Sequence, residues 1–379
     1  MKIVLTGGGT GGHFYPLIAV AEEIEAIATE KNLVQPELFF FAPAPYSESS
    51  LFAHKISYKE VPAGKIRYYF SPQNISGLFT TFKGTFIALW NLFHIYPDVV
   101  FGKGAYGSFP TLLAARILFI PVVIHESDSK PGRVNAWAGK FARYVAVSYP
   151  DAAAYFKKEK VAWTGQPLRK ELIEPLSDEQ KKQAREEFFL EEGKPTILVL
   201  GGSQGAVFIN DALLDTLPLL LDKYQVIHQA GPQHFQGVKN QSEVTLENNQ
   251  NKIGYKPYDY LSEEMMKKAY AIADLVISRA GSTIFEIAAA GLPSIIIPIP
   301  ERISHDQRTN AYNYKRAGAC TVIEEENLRP EIIFAEINRI MGTIEEKQSM
   351  ISSARSFSRS DASKVIAETL VNIGLSHEK

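Results

Sequence analysis

The sequence predicts an α/β protein built from two Rossmann-like halves. Three observations carry this. Short, continuously apolar runs alternate with helical patterns along most of the chain, as strands of a parallel sheet covered on both faces require. A strand, a glycine loop and a helix open the chain, and the same succession restarts roughly 194 residues later. The length, 379 residues, exceeds one average domain and suits two or three.

In order, residues 2–6 form a strand ending in GGGTGGH (7–13), and a helical pattern follows over 17–28. Further buried strands are read at 38–42 (LFFFA), 98–101 (DVVF), 122–125 (VVIH) and 144–147 (YVAV). Helical patterns at 79–93 and 110–118 separate several of them. The second half starts with a strand at 195–200 that enters GGSQGA (201–206), with a helix from about Phe208. Strands are then expected at 225–228, 275–278, 294–298 and 320–323. The joint is expected within WTGQPLR (163–169), where Gly165 and Pro167 break regular structure. This gives domains 1–164 and 165–350 and a terminal segment 351–379, in which Asp361 is placed to cap a helix reaching about Ile373.

Composition excludes several classes. With 45% hydrophobic and 22% charged residues the chain is not disordered. A net charge of −2 argues against a nucleic-acid binder held by bulk charge. That total hides a split: residues 1–160 carry 16 basic against 12 acidic side chains, and the remainder 24 against 30. Cys320 is the single cysteine, so an internal disulfide and a cysteine metal cluster are excluded. The longest apolar candidate, 112–124, is broken by Arg116 and Pro121, and the N-terminal apolar stretch is too short for a secretory signal. A cytoplasmic protein that touches a membrane without spanning it is expected. Residues 65–98 hold nine aromatics, with Leu78, Phe82, Phe86, Leu89 and Phe93 at helical spacing and Lys65, Arg67 and Lys83 nearby. Such a surface suits the interface of an anionic bilayer, although rings at this spacing also suit a core.

The glycine loops indicate phosphate. Gly7, Gly9 and Gly12 satisfy G-x-G-x-x-G, where glycines let phosphate approach backbone N–H groups at a helix start. A nicotinamide-dependent oxidoreductase would place an acid after the second strand for the ribose. None occurs here before Glu48, which disfavours that reading. A further loop, 102–110 (GKGAYGSFP), also follows a strand, and 201–206 lacks the ending of a P-loop. Loops of this kind at strand C-terminal ends in both halves point to polyphosphate chemistry between domains.

The decisive pattern lies in the second half. SRAGSTIFEIAAAGLP (278–293) is followed by SIIIP and HDQRTNA (305–311), a small-residue turn into a helix carrying Glu286 in its first turns. With GGTGGH, ISGL, PDVV, G-x-G-x-Y-x-S, the His125-Glu126 pair, GxPxR and GGSQGA in the same order, the chain resembles the MurG family over nearly its whole length. These are the UDP-N-acetylglucosamine transferases that act on undecaprenyl-diphospho-muramoyl-pentapeptide in bacterial cell-wall synthesis. The resemblance implies a GT-B fold, with two Rossmann-like domains facing a central cleft and a final helix returning to the first. It also implies inverting transfer with no metal or other cofactor.

It implies residue roles too. Arg169, Ser203, Arg279, Ser282, Thr283, Glu286, Gln307 and Asn310 would form the donor site, with Glu286 on the ribose and Gln307 on the sugar hydroxyls. Thr10, Gly11, Gly12 and Asp128 would contribute from the first half. Gly102, Gly104, Tyr106, Ser108, His125 and Asn135 would form the acceptor side. Asp128 stands where the family usually has Asn, and HDQ replaces the frequent DHQ order. The base that activates the acceptor hydroxyl is expected to be His13, with Glu126 and Asp128 as rivals. Implied partners are UDP-N-acetylglucosamine, the polyprenyl-linked acceptor lipid I and an anionic membrane surface at the cytoplasmic face of the inner membrane. The competing readings are another GT-B glycolipid transferase or an epimerase, the oxidoreductase, and a catalytically silent binding protein.

Overall fold

A computed structural model of the chain describes residues 1–8, 10–65, 72–202, 205–300 and 307–377. It divides into two compact units, one formed by Met1–Arg169 with the chain from Arg359 onward, the other by Lys170–Ser358. The contact boundary thus falls at 169/170, after the 163–169 segment, and residues 351–358 pack with the second unit.

The first unit alternates β1 (Lys2–Thr6), α1 (Gly11–Glu30), β2 (Glu37–Ala42), α2 (Glu48–Ala53), β3 (Ser57–Glu60), α3 (Pro72–Ile95), β4 (Val99–Gly102), α4 (Ala105–Ile117), β5 (Val122–Glu126), α5 (Arg133–Ala138), β6 (Tyr144–Val147) and β7 (Val161–Trp163). All seven strands are parallel, in the order β3-β2-β1-β4-β5-β6-β7. The second unit contains α6 (Lys170–Ile173), α7 (Asp178–Glu187), β8 (Thr196–Leu200), α8 (Val207–Leu220), β9 (Gln225–Gln229), α9 (Phe235–Thr245), β10 (Tyr255–Tyr258), α10 (Glu263–Ile272), β11 (Leu275–Ser278), α11 (Thr283–Ala290), β12 (Ser294–Ile296), α12 (Gln307–Arg316), β13 (Cys320–Val322), α13 (Pro330–Gly342) and α14 (Ile344–Phe357). Its six strands are parallel in the order β10-β9-β8-β11-β12-β13. α15 (Ala362–His377) then packs in the first unit, where Ile366, Ala367, Leu370 and Val371 join Leu17, Val20, Ala21 and Ile24 of α1 in one core.

The strands absent from the sequence reading, β3, β7 and β10, are all sheet edges. Their side chains are mostly half-buried or exposed, so no continuous apolar run marks them. α1 starts at Gly11, six residues before the apolar pattern begins, because glycine hides the first turn from any propensity argument.

α3 is inverted in character. It buries Gly77, Gly84, Thr85, Ala88 and Leu92, mostly small residues, and packs closely on α4. Its large apolar side chains point outward: Leu78, Phe79, Phe82, Phe86, Trp90 and Phe93 are each more than half exposed. Leu89, expected on that stripe, is half-buried, and Trp90 and Phe79 take the exposed line instead. Lys65 and Lys83 are exposed; Arg67, Tyr68, Tyr69 and Phe70 lie outside the described residues. Among the described residues no helix is long and apolar enough to cross a membrane.

Candidate active site

In the first unit strand order reverses between β1 and β4, and the loops leaving these strands border the crevice where doubly wound sheets take ligands. Thr10 is the exposed, extended N-cap of α1 and makes no side-chain cap, an arrangement suited to an anion at the helix start. Gly11 and Gly12 form the first turn, half-buried, and a side chain on Gly11 would meet the Tyr46 hydroxyl at 2.8 Å.

His13 follows, also half-buried. Its Nδ1 faces the Lys103 carbonyl at 3.2 Å. A carbonyl only accepts, which assigns the proton to Nδ1 and the lone pair to Nε2. Burial lowers its pKa and the Lys103 charge adds to that, while Asp128 and the hydrogen bond to the Lys103 carbonyl oppose it; the net shift favours the neutral ring.

The β4–α4 loop turns through Gly104 (φ +78°) and Ala105 (φ +61°). A side chain on Gly104 would begin 2.7 Å from Asn135 Nδ2. That amide donates to the His125 carbonyl and to Glu126 Oε2, both at 3.0 Å. Glu126 also accepts from the Asp128 N–H at 2.9 Å and the Gly132 N–H at 3.0 Å. It therefore organises the loop after β5. Burial and the neighbouring Asp128 push its carboxyl up to about 7, although these hydrogen bonds favour the anion.

Beneath lies a buried polar chain. Lys103 Nζ donates to Ser127 Oγ; Ser127 and Ser148 donate to Gln166 Oε1 at 3.1 and 2.9 Å. Burial lowers the Lys103 ammonium to about 8 against the pull of Glu126 and Asp128. His125 Nε2 donates to the Gly165 carbonyl at 2.9 Å, and burial, then Lys103, holds its pKa well below the usual value.

The second unit repeats the topology, with its strand order reversing between β8 and β11. Gly205 (φ +81°) lets the loop after β8 pass the Ala230 carbonyl, 2.2 Å from where a side chain would begin. Ser203 lies outside the described residues, as do His305 and Asp306. On the β11 side Ser282 and Thr283 start α11, half-buried and without a side-chain cap. Glu286, one turn on, accepts at Oε2 from the buried Tyr270 hydroxyl at 2.9 Å. Burial, then the Glu286 charge, raises the Tyr270 pKa well above the phenolic range, so the phenol stays a donor.

Arg279 donates to the Ile297 carbonyl at 3.2 Å and pairs with Glu325 at 2.6 Å, both side chains being nearly buried. Asn310, buried, donates to the Ala280 carbonyl at 3.3 Å. These two hold the 279–282 turn from behind. Gln307, at the start of α12, accepts from the Ile299 N–H at 3.3 Å.

The Glycosyltransferase family 28 N-terminal domain matches residues 3–147 and the family 28 C-terminal domain matches 196–366. A UDP-N-acetylglucosamine--N-acetylmuramyl-(pentapeptide) pyrophosphoryl-undecaprenol N-acetylglucosamine transferase of Thermodesulfovibrio yellowstonii is 35% identical over 375 residues, 97% of each chain. The chain belongs to the MurG family. The transferase of the same name from Clostridium novyi is 34% identical over 94% of each chain. The crystal structure of Acinetobacter baumannii MurG superposes with a TM-score of 0.72 at 25% identity, covering 98% of this chain and 99% of that one. The UDP-GlcNAc 2-epimerase of Neisseria meningitidis has the same TM-score at 17% identity, a likeness of fold alone. The fold is GT-B.

Against the family's pattern, the structure gathers Thr10, Gly11, Gly12, His13, Gly104, Glu126 and Asn135 at loops after β1, β4 and β5 of the first unit. Tyr106 is 37% exposed and Asp128 half-buried, so both reach the surface. His125 and Ser108 do not: both are 0% exposed, and the Ser108 hydroxyl donates to the Ala105 carbonyl at 3.0 Å. Gly102, the last residue of β4, is packed against Leu112 at 2.9 Å from a would-be side chain. These three shape the loops from beneath. Arg169 groups with the first unit, its guanidinium 4.1 Å from the Tyr15 ring centroid. Lys103, Ser127, Ser148, Gln166 and Tyr270 escaped sequence reasoning. Only Gln166 carried a signal, as a variable position within GxPxR.

Proposed function

We propose that this chain transfers N-acetylglucosamine from UDP-N-acetylglucosamine to the 4-hydroxyl of the muramoyl-pentapeptide sugar of lipid I, forming lipid II. The observation that carries the reading is similarity over 97% of the chain to a transferase of that name. Glycine loops at both strand-order reversals support it.

In this mechanism the acceptor oxygen attacks C1 of the donor sugar, the bond from C1 to the UDP oxygen breaks, and the configuration inverts. The hydroxyl proton goes to His13 Nε2, whose lone pair the Lys103 carbonyl secures by holding the proton on Nδ1. Glu126 is the weaker candidate because it is buried and its oxygens already accept three N–H groups. Asp128 then acts beside His13 by stabilising the imidazolium that forms. In the second unit Glu286 accepts the ribose hydroxyls, and Ser282 and Thr283 offer backbone N–H groups to the departing diphosphate. Ser203 is assigned there by the family pattern, as is Gln307 to the sugar hydroxyls, while Arg279 and Asn310 brace the turn. Arg169 adds positive charge.

The lipid-linked acceptor belongs with the exposed face of α3, where six large apolar side chains and Lys83 meet solvent. A helix that buries glycine and alanine and exposes phenylalanine and tryptophan is built for an apolar partner. The assignment is a peripheral enzyme on the anionic cytoplasmic leaflet. The test is UDP release from UDP-N-acetylglucosamine with a short-chain lipid I analogue. His13→Ala should lower turnover by about 10²–10⁴-fold with little change in donor affinity. No UDP release by the native protein overturns the transferase reading.

A further inference from the structure

Gln229, the last residue of β9, is buried between the loops that leave β8 and β10, because β9 runs between those two strands. Its side-chain amide joins the two loops. Oε1 accepts from the Leu261 N–H at 3.0 Å, and Nε2 donates to the Gly202 carbonyl at 3.2 Å. A backbone N–H only donates and a carbonyl only accepts, so the two ends of the amide are not interchangeable. The Gly202 carbonyl also accepts from the Gly205 N–H at 3.1 Å, and the Gln229 carbonyl accepts from the Gly201 N–H at 3.4 Å. A carbonyl oxygen repels an anion, so one held by a buried amide is kept off a phosphate.

The glycines cannot supply this hold themselves. Gly201, Gly202 and Gly205 carry no side chains, and Gly202 and Gly205 stand at φ +82° and +81°. Such a loop lets phosphate approach the backbone but loses much conformational freedom when it is ordered. Its Gly205 end is held separately. There the Ala230 carbonyl, which Gly205 passes, accepts from Asn210 Nδ2 at 3.0 Å, and Asn210 Oδ1 accepts from His228 Nε2 at 3.1 Å. Gln229 fixes the Gly202 end from outside the loop. On its other side it fixes Leu261, the residue before Ser262, which caps α10.

We propose that Gln229 is a positioning residue for donor binding: its buried amide ties the glycine loop after β8 to the loop after β10, so that the diphosphate of a nucleotide sugar meets a loop already ordered. This rests on the reading of that loop as the phosphate-binding part of the donor site. Order present before binding is not lost on binding, so the effect belongs to donor affinity and not to the bond-breaking step. Gln229 acts through Gly202 and needs no contact with the substrate.

The test uses full-length protein and Gln229→Met, which keeps the length of the side chain and loses both hydrogen bonds. UDP affinity is measured by calorimetry, and kcat and KM for UDP-N-acetylglucosamine with a saturating short-chain lipid I analogue. Gln229→Met should weaken UDP binding and raise the donor KM by roughly fivefold to tenfold each, with kcat at saturating donor within about twofold of native. A merely structural glutamine would instead lower the melting temperature and the active fraction, and so kcat, while folded molecules kept native affinity and KM. A folded Gln229→Met with native UDP affinity, or with kcat lowered at unchanged KM, overturns the role of Gln229 alone. If Gln229→Met does not fold, Gln229→Glu decides, because its carboxyl keeps an acceptor for Leu261 but donates to Gly202 only when protonated. Its UDP affinity relative to the native protein should fall between about pH 6 and about pH 9, as that buried carboxyl ionises. A ratio flat with pH overturns the inference. No UDP binding by the native protein overturns the donor-site reading itself.

Discussion

Replacing Gly104 by alanine should damage the first unit through a single neighbour. At φ +78°, ψ −153° the backbone occupies a region open essentially to glycine, so any side chain adds about 1–3 kcal/mol of strain. The new methyl would also lie 2.7 Å from Asn135 Nδ2 and 3.0 Å from its Cγ, so the amide must move. Asn135 then loses its hydrogen bond to the His125 carbonyl, about 0.5–1.5 kcal/mol, and its bond to the Glu126 carboxylate, about 1.5–3 kcal/mol. The total is about 3–7 kcal/mol. Urea unfolding of Gly104→Ala, Asn135→Ala and the double variant resolves the parts. Once Asn135 is gone the clash is relieved, so Gly104→Ala in that background should cost only the backbone strain. The two changes should therefore be non-additive by about 2–4 kcal/mol. Strict additivity, or a single-variant cost below about 1 kcal/mol, would refute the assignment of Asn135 as the contact through which Gly104 acts.

Other consequences are equally direct. Glu126→Gln keeps the shape but turns an amide NH₂ toward N–H donors, so it should destabilise the 127–132 loop by about 1–3 kcal/mol. The sign of its pH dependence follows from a carboxyl raised to about 7: the native side chain contributes stability below its ordinary pKa that is lost as pH rises through 7. The variant's deficit in thermal melts should therefore be largest near about pH 5 and shrink by about pH 8; a deficit that grows with pH contradicts the burial argument. Tyr270→Phe removes the 2.9 Å hydrogen bond that orients Glu286. UDP affinity by calorimetry should fall roughly tenfold, about 1.4 kcal/mol, with kcat nearly unchanged; equal affinity would detach Glu286 from the ribose. Changing Phe82, Phe86 and Trp90 together to serine should reduce co-sedimentation with anionic vesicles at least roughly tenfold, since each such ring is worth about 1.5–3 kcal/mol when fully buried. Failure of the native protein to bind those vesicles would show that α3 serves another apolar partner.

The central strands were legible because a strand buried on both faces must be largely apolar, as 38–42 and 197–200 are. Edge strands such as β7 carry no such demand and passed unseen. Glycine loops were legible because close backbone approach leaves few alternatives to glycine. What each polar residue does in those loops was not. His125 and Ser108 belong to motifs that the family resemblance assigns to the acceptor side, yet both are sealed beneath the surface. Lys103, one of the 16 basic residues among the first 160, is buried against Ser127, 24 residues away. Tyr270 and Glu286 are 16 residues apart on different helices, and nothing local couples them.

The sequence by itself determined the α/β class, the two strand–glycine-loop–helix starts and the family, because those depend on local pattern and motif order. Tertiary structure decided which side chains reach the surface of those loops, which brace them from beneath and which way each pKa moves. Burial, charge and hydrogen bonding act through space, and the partners that set them are distant along the chain.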